Sequence, residues 1–248
     1  MYDRHDLYEH CVQSPAELVP LLRALHGADP CALGEDFAGT AALSRAWVAA
    51  VDGGRAIAVD HDADVVARTP HRDQVDLRHA DVLTVNDAAD VIYAGNFSIG
   101  EFHTRPALLS YLTHVRTRLT AGGCFVCDLY GGRTAWEPGE SQAEWPLPDG
   151  STVIYIWEQG ELDPLTATVR NTIHFGGAHA MRDAFQYHWR IWGLTELLDA
   201  LRDAGFEQTA VFPRTPDAID ADGTAYLMPL STADDFDADG YDVLVMAR

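Results

Sequence analysis

The segment Leu33-Gly34-Glu35-Asp36-Phe37-Ala38-Gly39-Thr40-Ala41-Ala42-Leu43, followed after a helix-length gap by Ile57-Ala58-Val59-Asp60, constrains this chain more than any other feature. Its first part reads as a buried strand that breaks into a small-residue turn and opens a helix. The second part reads as another buried strand ending on a carboxylate. Small residues in the turn let the backbone approach a ligand closely. An acid at the tip of the next strand can accept hydrogen bonds from both hydroxyls of a ribose. A nucleoside cofactor needs that arrangement, and a strand-turn-helix with no ligand is the competing reading.

Dinucleotides and S-adenosylmethionine share this layout, and two departures favour the second. A dinucleotide fingerprint wants Gly-x-Gly-x-x-Gly so that pyrophosphate can sit on the helix N-terminus. The corresponding places hold Phe37, Gly39 and Ala42, a single glycine with a bulky ring where the chain would meet phosphate. Glu35 and Asp36 would repel pyrophosphate, whereas the amino-acid part of S-adenosylmethionine prefers an acid near the first turn. On these residues the chain resembles the class I S-adenosylmethionine-dependent methyltransferases, whose first motif is acid-x-Gly-x-Gly-x-Gly. Glu35 takes the acid and Gly39 the second glycine, while Phe37 and Ala41 stand where the family has glycine.

Charge narrows the partners. The chain has 248 residues and a net charge of −21, so phosphate backbones and anionic lipid would repel it. Neither nucleic acid nor a membrane is expected as a partner; a small molecule is, with a homodimer left open. All 17 basic residues are arginine, which excludes a Walker-type phosphate lysine, a Schiff-base lysine and the Tyr-x-x-x-Lys chemistry of short-chain oxidoreductases. No apolar run is long enough to cross a bilayer and no export signal is visible, so a cytoplasmic location is expected. Cys124 and Cys127 have the spacing of a metal or redox pair, but they fall in a strand-like run. Residues three apart on a strand point to opposite faces, and with no HExxH pattern either, no metal is expected.

Strand and helix patterns alternate along the chain, which predicts an α/β fold. The strands fall at 31–36, 54–60, 75–80, 89–95 and 122–130, with helices near 40–50, 62–68 and 104–120. Thr104 is placed to cap the last helix, with Pro106 in its first turn. The alternation breaks at 133–190, where three aromatic, β-branched runs (151–157, 166–175 and 183–192) predict an antiparallel insert. Helical spacing resumes from Leu194 to Leu201, a sixth strand runs to about 213, and Tyr241–Ala247 closes the chain after a long acidic loop. The resemblance implies a Rossmann-like seven-stranded, mostly parallel sheet whose last strand is antiparallel, in one domain spanning 1–248. The insert at about 133–190 would form a small antiparallel β cap over the substrate.

The resemblance also assigns sites at the strand tips. Asp60 would hold the ribose hydroxyls, with His61 beside it. Asp81 would accept from the adenine amino group and Val82 would donate its backbone N–H to the ring. Glu35, Phe37, Ala38, Gly39 and Thr40 form the first turn. Asn96 and Phe97 would lie beside the transferable methyl, and Tyr8 or Gln13 in the N-terminal segment would reach over the cofactor, unless that segment is a helix that only covers the sheet edge. Glu101 and His103 are the candidate general bases. Tyr130 and the insert residues Tyr155, Trp157, Arg170, His174, Tyr187 and Trp189 would make the acceptor site, since aromatic surface with a few polar groups suits a small molecule.

These expectations amount to an S-adenosylmethionine-dependent methyltransferase acting on a small-molecule acceptor, with transfer to nitrogen favoured over oxygen. A non-catalytic S-adenosylmethionine-binding protein and a methyltransferase acting on a protein tail are the alternatives.

Overall fold

The computed structural model describes residues 2–248. Two helices come first, α1 (Arg4–Cys11) and α2 (Pro15–His26). An alternating stretch follows: β1 (Ala32–Asp36), α3 (Ala42–Ala50), β2 (Arg55–Asp60), α4 (Ala63–Arg68), β3 (Val75–His79), β4 (Ala89–Ala94), α5 (Arg105–Arg118) and β5 (Leu119–Gly131). Four strands then interrupt the alternation: β6 (Gly139–Pro146), β7 (Thr152–Gln159), β8 (Thr168–Gly177) and β9 (Met181–Arg190). The chain ends with α6 (Leu194–Asp203), β10 (Thr209–Pro213), the short β11 (Ala218–Ile219) and β12 (Ala225–Tyr226), and β13 (Tyr241–Ala247).

The main sheet has seven strands in the order β10-β13-β5-β4-β1-β2-β3. Strands β1 to β5 pair in parallel, and β13 runs antiparallel to both β5 and β10. Chain order reverses between β1 and β4, which opens a crevice at the carboxyl ends of these strands. Helices cover both faces. Leu108, Leu112 and Val115 of α5 and Leu197 and Leu201 of α6 pack with Ile92, Phe125 and Cys127 on one side. Leu18, Leu22 and Leu25 of α2 and Trp47 of α3 pack with Leu33, Val91 and Cys124 on the other. Cys124 and Cys127 therefore face opposite layers, as a spacing of three along a strand dictates. Each fully buried leucine of this kind contributes roughly 1.5–3 kcal/mol.

Strands β6 to β9 form a separate antiparallel sheet in sequential order. Its inner face carries Val153, Ile173, Phe175 and Ala184, which pack with Leu7 of α1. Three of these four strands follow the predicted runs. The fourth, β6, was not expected: its sequence Gly-Glu-Ser-Gln-Ala-Glu-Trp-Pro is exposed throughout, and an edge strand with no buried side carries no alternation to read. Helix α2 was also unexpected. Its apolar residues do recur at helical spacing, but prolines at positions 15 and 20 punctuate the run. Pro15 is tolerated in the first turn, where its missing N–H has no partner to lose. At α5, Thr104 caps as expected, its hydroxyl accepting from the Ala107 N–H at 3.3 Å.

Candidate functional site

The tips of β1, β2 and β3 are tied together by short polar contacts. The Asp60 carboxylate accepts the backbone N–H of Gly39 at 2.7 Å and of Asp62 at 2.8 Å. The Ala38 N–H reaches the Val59 carbonyl, and the Ala80 N–H reaches the Asp60 carbonyl, each at 2.9 Å. Asp81 is exposed and turns back to accept the Leu83 N–H, with Val82 buried behind it and His61 exposed beside it. Phe37, Gly39 and Ala41 adopt φ of 59°, 52° and 54°, all in the left-handed region. The turn keeps a glycine-type path even where Phe37 and Ala41 replace glycine, at a cost of roughly 1–2 kcal/mol per residue.

Buried charge supports this turn from beneath. Asp36 is fully buried and paired with Arg118 at 2.8 and 3.0 Å, and the Tyr111 hydroxyl donates to it at 3.0 Å. Burial pushes the Asp36 carboxyl up, against the opposing pull of Arg118. Phe37 packs edge-on against Tyr111, with Phe102 stacked behind. Glu35 accepts the N–H of Ser44 at 2.8 Å and its hydroxyl at 2.5 Å; burial pushes its carboxyl up to about 7.

Asn96 and Phe97 leave β4 with φ of 54° and 60°. The Asp128 carboxylate of the neighbouring β5 accepts both of their N–H groups, at 2.8 and 2.6 Å. Hydrogen bonds to a charged group contribute about 1.5–3 kcal/mol each, enough to offset two left-handed residues. Arg214 pairs with Asp128 at 3.1 Å, on the oxygen that also accepts the Asn96 N–H.

Beside this turn lies a cavity of about 590 Å³ between the main sheet and the second sheet. Asn96, Phe97 and Tyr130 line it from the main sheet, and Tyr8 and Val12 from the N-terminal segment. The second sheet contributes Tyr155, Trp157, Gln159, Ile173, Tyr187 and Trp189. These residues share one face because alternate positions on each strand point the same way. Tyr187 stacks on Trp189 at 4.4 Å, and Phe97 meets Tyr130 edge-on at 4.8 Å. Burial pushes Tyr8 and Tyr130 up to about 12 and raises Tyr155 and Tyr187 as well, so all four stay protonated at neutral pH. The carboxylates on the lining are Glu137 and Glu140, both exposed, and Glu137 is paired with Arg133 at 2.7 Å.

Eight of the residues singled out in the sequence meet on this cavity: Tyr8, Asn96, Phe97, Tyr130, Tyr155, Trp157, Tyr187 and Trp189. Glu35, Phe37, Ala38, Gly39, Thr40, Asp60, His61, Asp81 and Val82 instead lie at or just beyond the tips of β1, β2 and β3. Four fall in neither group. Arg170 and His174 alternate with the inward Asn171, Ile173 and Phe175, and His174 is held by Glu158 at 2.9 Å and the Asp183 N–H at 2.9 Å. Glu101 accepts the Trp189 indole N–H at 2.7 Å, and His103 bonds the His188 carbonyl at 2.5 Å. Both tie the segment after β4 to the second sheet. Sequence reading gave no role to Asp128, at the end of the fifth strand, or to the residues at 134–141. Gln159 was legible, one alternation beyond Val153, Tyr155 and Trp157.

The residues at the first turn fit a nucleoside cofactor of the expected kind. The Thr40 hydroxyl oxygen is buried with no partner among the described residues, and the space on the Cβ side of Gly39 is open. The open backbone at Gly39 lets a ligand approach closely, while the Thr40 hydroxyl lies beneath it, out of reach of solvent.

A seven-stranded sheet with this order and an antiparallel last strand is the fold of S-adenosylmethionine-dependent methyltransferases, and solved structures share it over nearly the whole chain. The chain is similar to DesVI of Streptomyces venezuelae, with a TM-score of 0.70 and 15% identity over 100% of this chain and 98% of that one. It is also similar to CalS10 of Micromonospora echinaspora, an amino pentose methyltransferase solved with S-adenosylmethionine bound (0.67, 15%, covering 100% and 98%). The sugar N-methyltransferase KedS8 of Streptoalloteichus is a third (0.64, 16%, covering 98% and 92%). No family model matches the sequence, and no curated protein matches it.

Proposed function

We propose that this protein transfers a methyl group from S-adenosylmethionine to the amino group of a small molecule. The observation that carries this reading is the aromatic cavity beside the Asn96–Phe97 turn, lined from both sheets. Its volume suits a small acceptor. Its lining among the described residues offers no histidine, cysteine or aspartate, its two glutamates are exposed with Glu137 paired to Arg133, and burial keeps its tyrosines protonated. An alcohol or phenol would find little there to take its proton, whereas a neutral amine brings its own lone pair. Nitrogen is favoured over oxygen on that ground, and the sugar N-methyltransferase and amino pentose methyltransferase among similar structures support it.

S-adenosylmethionine, when bound, supplies a methyl group already activated by its sulfonium. Asp60 would hold the ribose hydroxyls, Asp81 and Val82 the adenine, and Glu35, the 37–40 turn, His61, Asn96, Phe97 and Tyr8 the rest. Tyr130, Tyr155, Trp157, Tyr187 and Trp189 would hold the acceptor and exclude water. Most of the rate would then come from alignment and desolvation of two bound reactants. Residues 1–248 act on this reading as one domain, with the insert at about 133–190 as its cap. Glu101 and His103 serve to join cap and domain, and no general base is assigned.

Titration calorimetry with S-adenosylhomocysteine and NAD, on the wild type and on Asp60→Ala, tests the cofactor. Binding of the homocysteine nucleoside alone is expected, weakened about 100-fold in the variant by loss of charged hydrogen bonds. Methylation of amines ahead of phenols in an acceptor panel tests the substrate class. Binding of NAD instead, or of neither, overturns the reading.

A further inference from the structure

Five residues from four distant places in the sequence form one row across the carboxyl end of the main sheet. The strand order β10-β13-β5-β4 sets Arg214, Asp242, Asp128 and the Asn96–Phe97 turn side by side. Asp128 is fully buried and receives the N–H of Asn96 at 2.8 Å, the N–H of Phe97 at 2.6 Å, the Tyr93 hydroxyl at 3.2 Å and Arg214 at 3.1 Å. Arg214 in turn reaches Asp242 at 3.3 Å. Successive N–H groups in a left-handed backbone make a concave anion site. The protein fills this one with its own carboxylate.

We propose that Asp128 is a positioning residue, a clamp that holds the Asn96–Phe97 turn in its left-handed path. The clamp sets where the Asn96 amide and the Phe97 ring stand on the cavity wall. Phe97 is the joint of that wall: it meets Tyr130 of the main sheet at 4.8 Å and Trp189 of the cap at 6.3 Å. Without Asp128 the two N–H groups lose their common acceptor. Phe97, unlike glycine, has no reason to stay left-handed. The wall then relaxes while the strands on either side keep their own ladder. The catalytic consequence rests on the methyltransferase reading; the clamp does not.

Site-resolved amide hydrogen exchange tests it on the wild type, Asp128→Asn and Asp242→Asn. In the wild type the Asn96 and Phe97 amides are expected to exchange at least about 100-fold slower than exposed loop amides, although they lie outside any strand. Asp128→Asn keeps the shape but turns an NH2 toward one of the donors. Protection at these two amides is expected to fall about tenfold or more, with that of β4 unchanged. Asp242→Asn leaves both bonds in place and is expected to keep the protection. On the methyltransferase reading, Asp128→Asn also lowers kcat about tenfold while S-adenosylhomocysteine affinity moves less than about threefold. Fast exchange of the two amides in the wild type overturns the clamp without any variant, so misfolding of Asp128→Asn leaves it decidable. Equal loss of protection in both variants overturns it too. A wild type with slow amides that binds no S-adenosylhomocysteine supports the clamp and sinks the methyltransferase reading.

Discussion

Replacing Arg118 by methionine removes the buried cation under the first turn while keeping most of the side chain's volume. Arg118 and Asp36 are 1% and 0% exposed, so their attraction is little screened and the carboxylate left behind has no water to turn to. Removing one partner of a buried pair commonly costs about 3–5 kcal/mol. The low end applies here for two reasons. Two guanidinium nitrogens of Arg118 have no hydrogen-bond partner among the described residues, so their loss relieves a penalty. Tyr111 continues to donate to Asp36. A loss of about 3 kcal/mol in a chain of 248 residues corresponds to a fall in Tm of about 6 °C. The penalty depends on pH in a defined direction. Without Arg118, burial raises the Asp36 pKa further above its unfolded value, so the folded state holds the proton more tightly. The destabilisation is therefore small at low pH and grows as pH rises through and above the ordinary aspartate range. Thermal melts of wild type and Arg118→Met from pH 5 to 8 measure this. A Tm within about 2 °C of wild type at pH 8, or a difference independent of pH, would refute the reasoning.

Two further substitutions probe the site. A Cβ on Gly100 would lie 2.7 Å from Cβ and Cγ of Trp189, so Gly100→Ala is expected to push this tryptophan of the second sheet. Overpacking of this kind should cost about 1–3 kcal/mol in stability and raise the acceptor KM more than it lowers S-adenosylhomocysteine affinity, by steady-state kinetics and calorimetry. Burial raises Glu35 from 4.5 to about 7, so the stability that goes with its proton is complete below 4.5 and lost as pH rises through 7. That gap corresponds to about 3 kcal/mol, and Glu35→Gln is expected to show a flatter dependence of Tm on pH between 5 and 8. A dependence as steep as wild type would count against a buried, proton-holding Glu35.

Period and punctuation alone determined much of this protein. The buried strand into a small-residue turn, the alternation of strands with helices, and the break at 133–190 are local signals, because a side chain's face follows from spacing along one element. The row of Tyr155 and Trp157 and the row of Tyr187 and Trp189 were legible for the same reason. Where an element buries no face, as β6 does not, no such signal exists. Strand order was beyond reach of spacing. Which strand lies beside which is decided by long-range packing, and it is this order that sets Asp128 under Asn96 and Phe97, as the packing of α5 on the sheet sets Arg118 under Asp36. A left-handed Phe37 or Phe97 was equally hidden, since nothing in a phenylalanine predicts it. Only neighbours distant in the chain, such as the carboxylate of Asp128, hold that conformation against its local preference. Glu101 and His103 show the same distinction: their types suit a base, and only the tertiary structure bonds them to the second sheet.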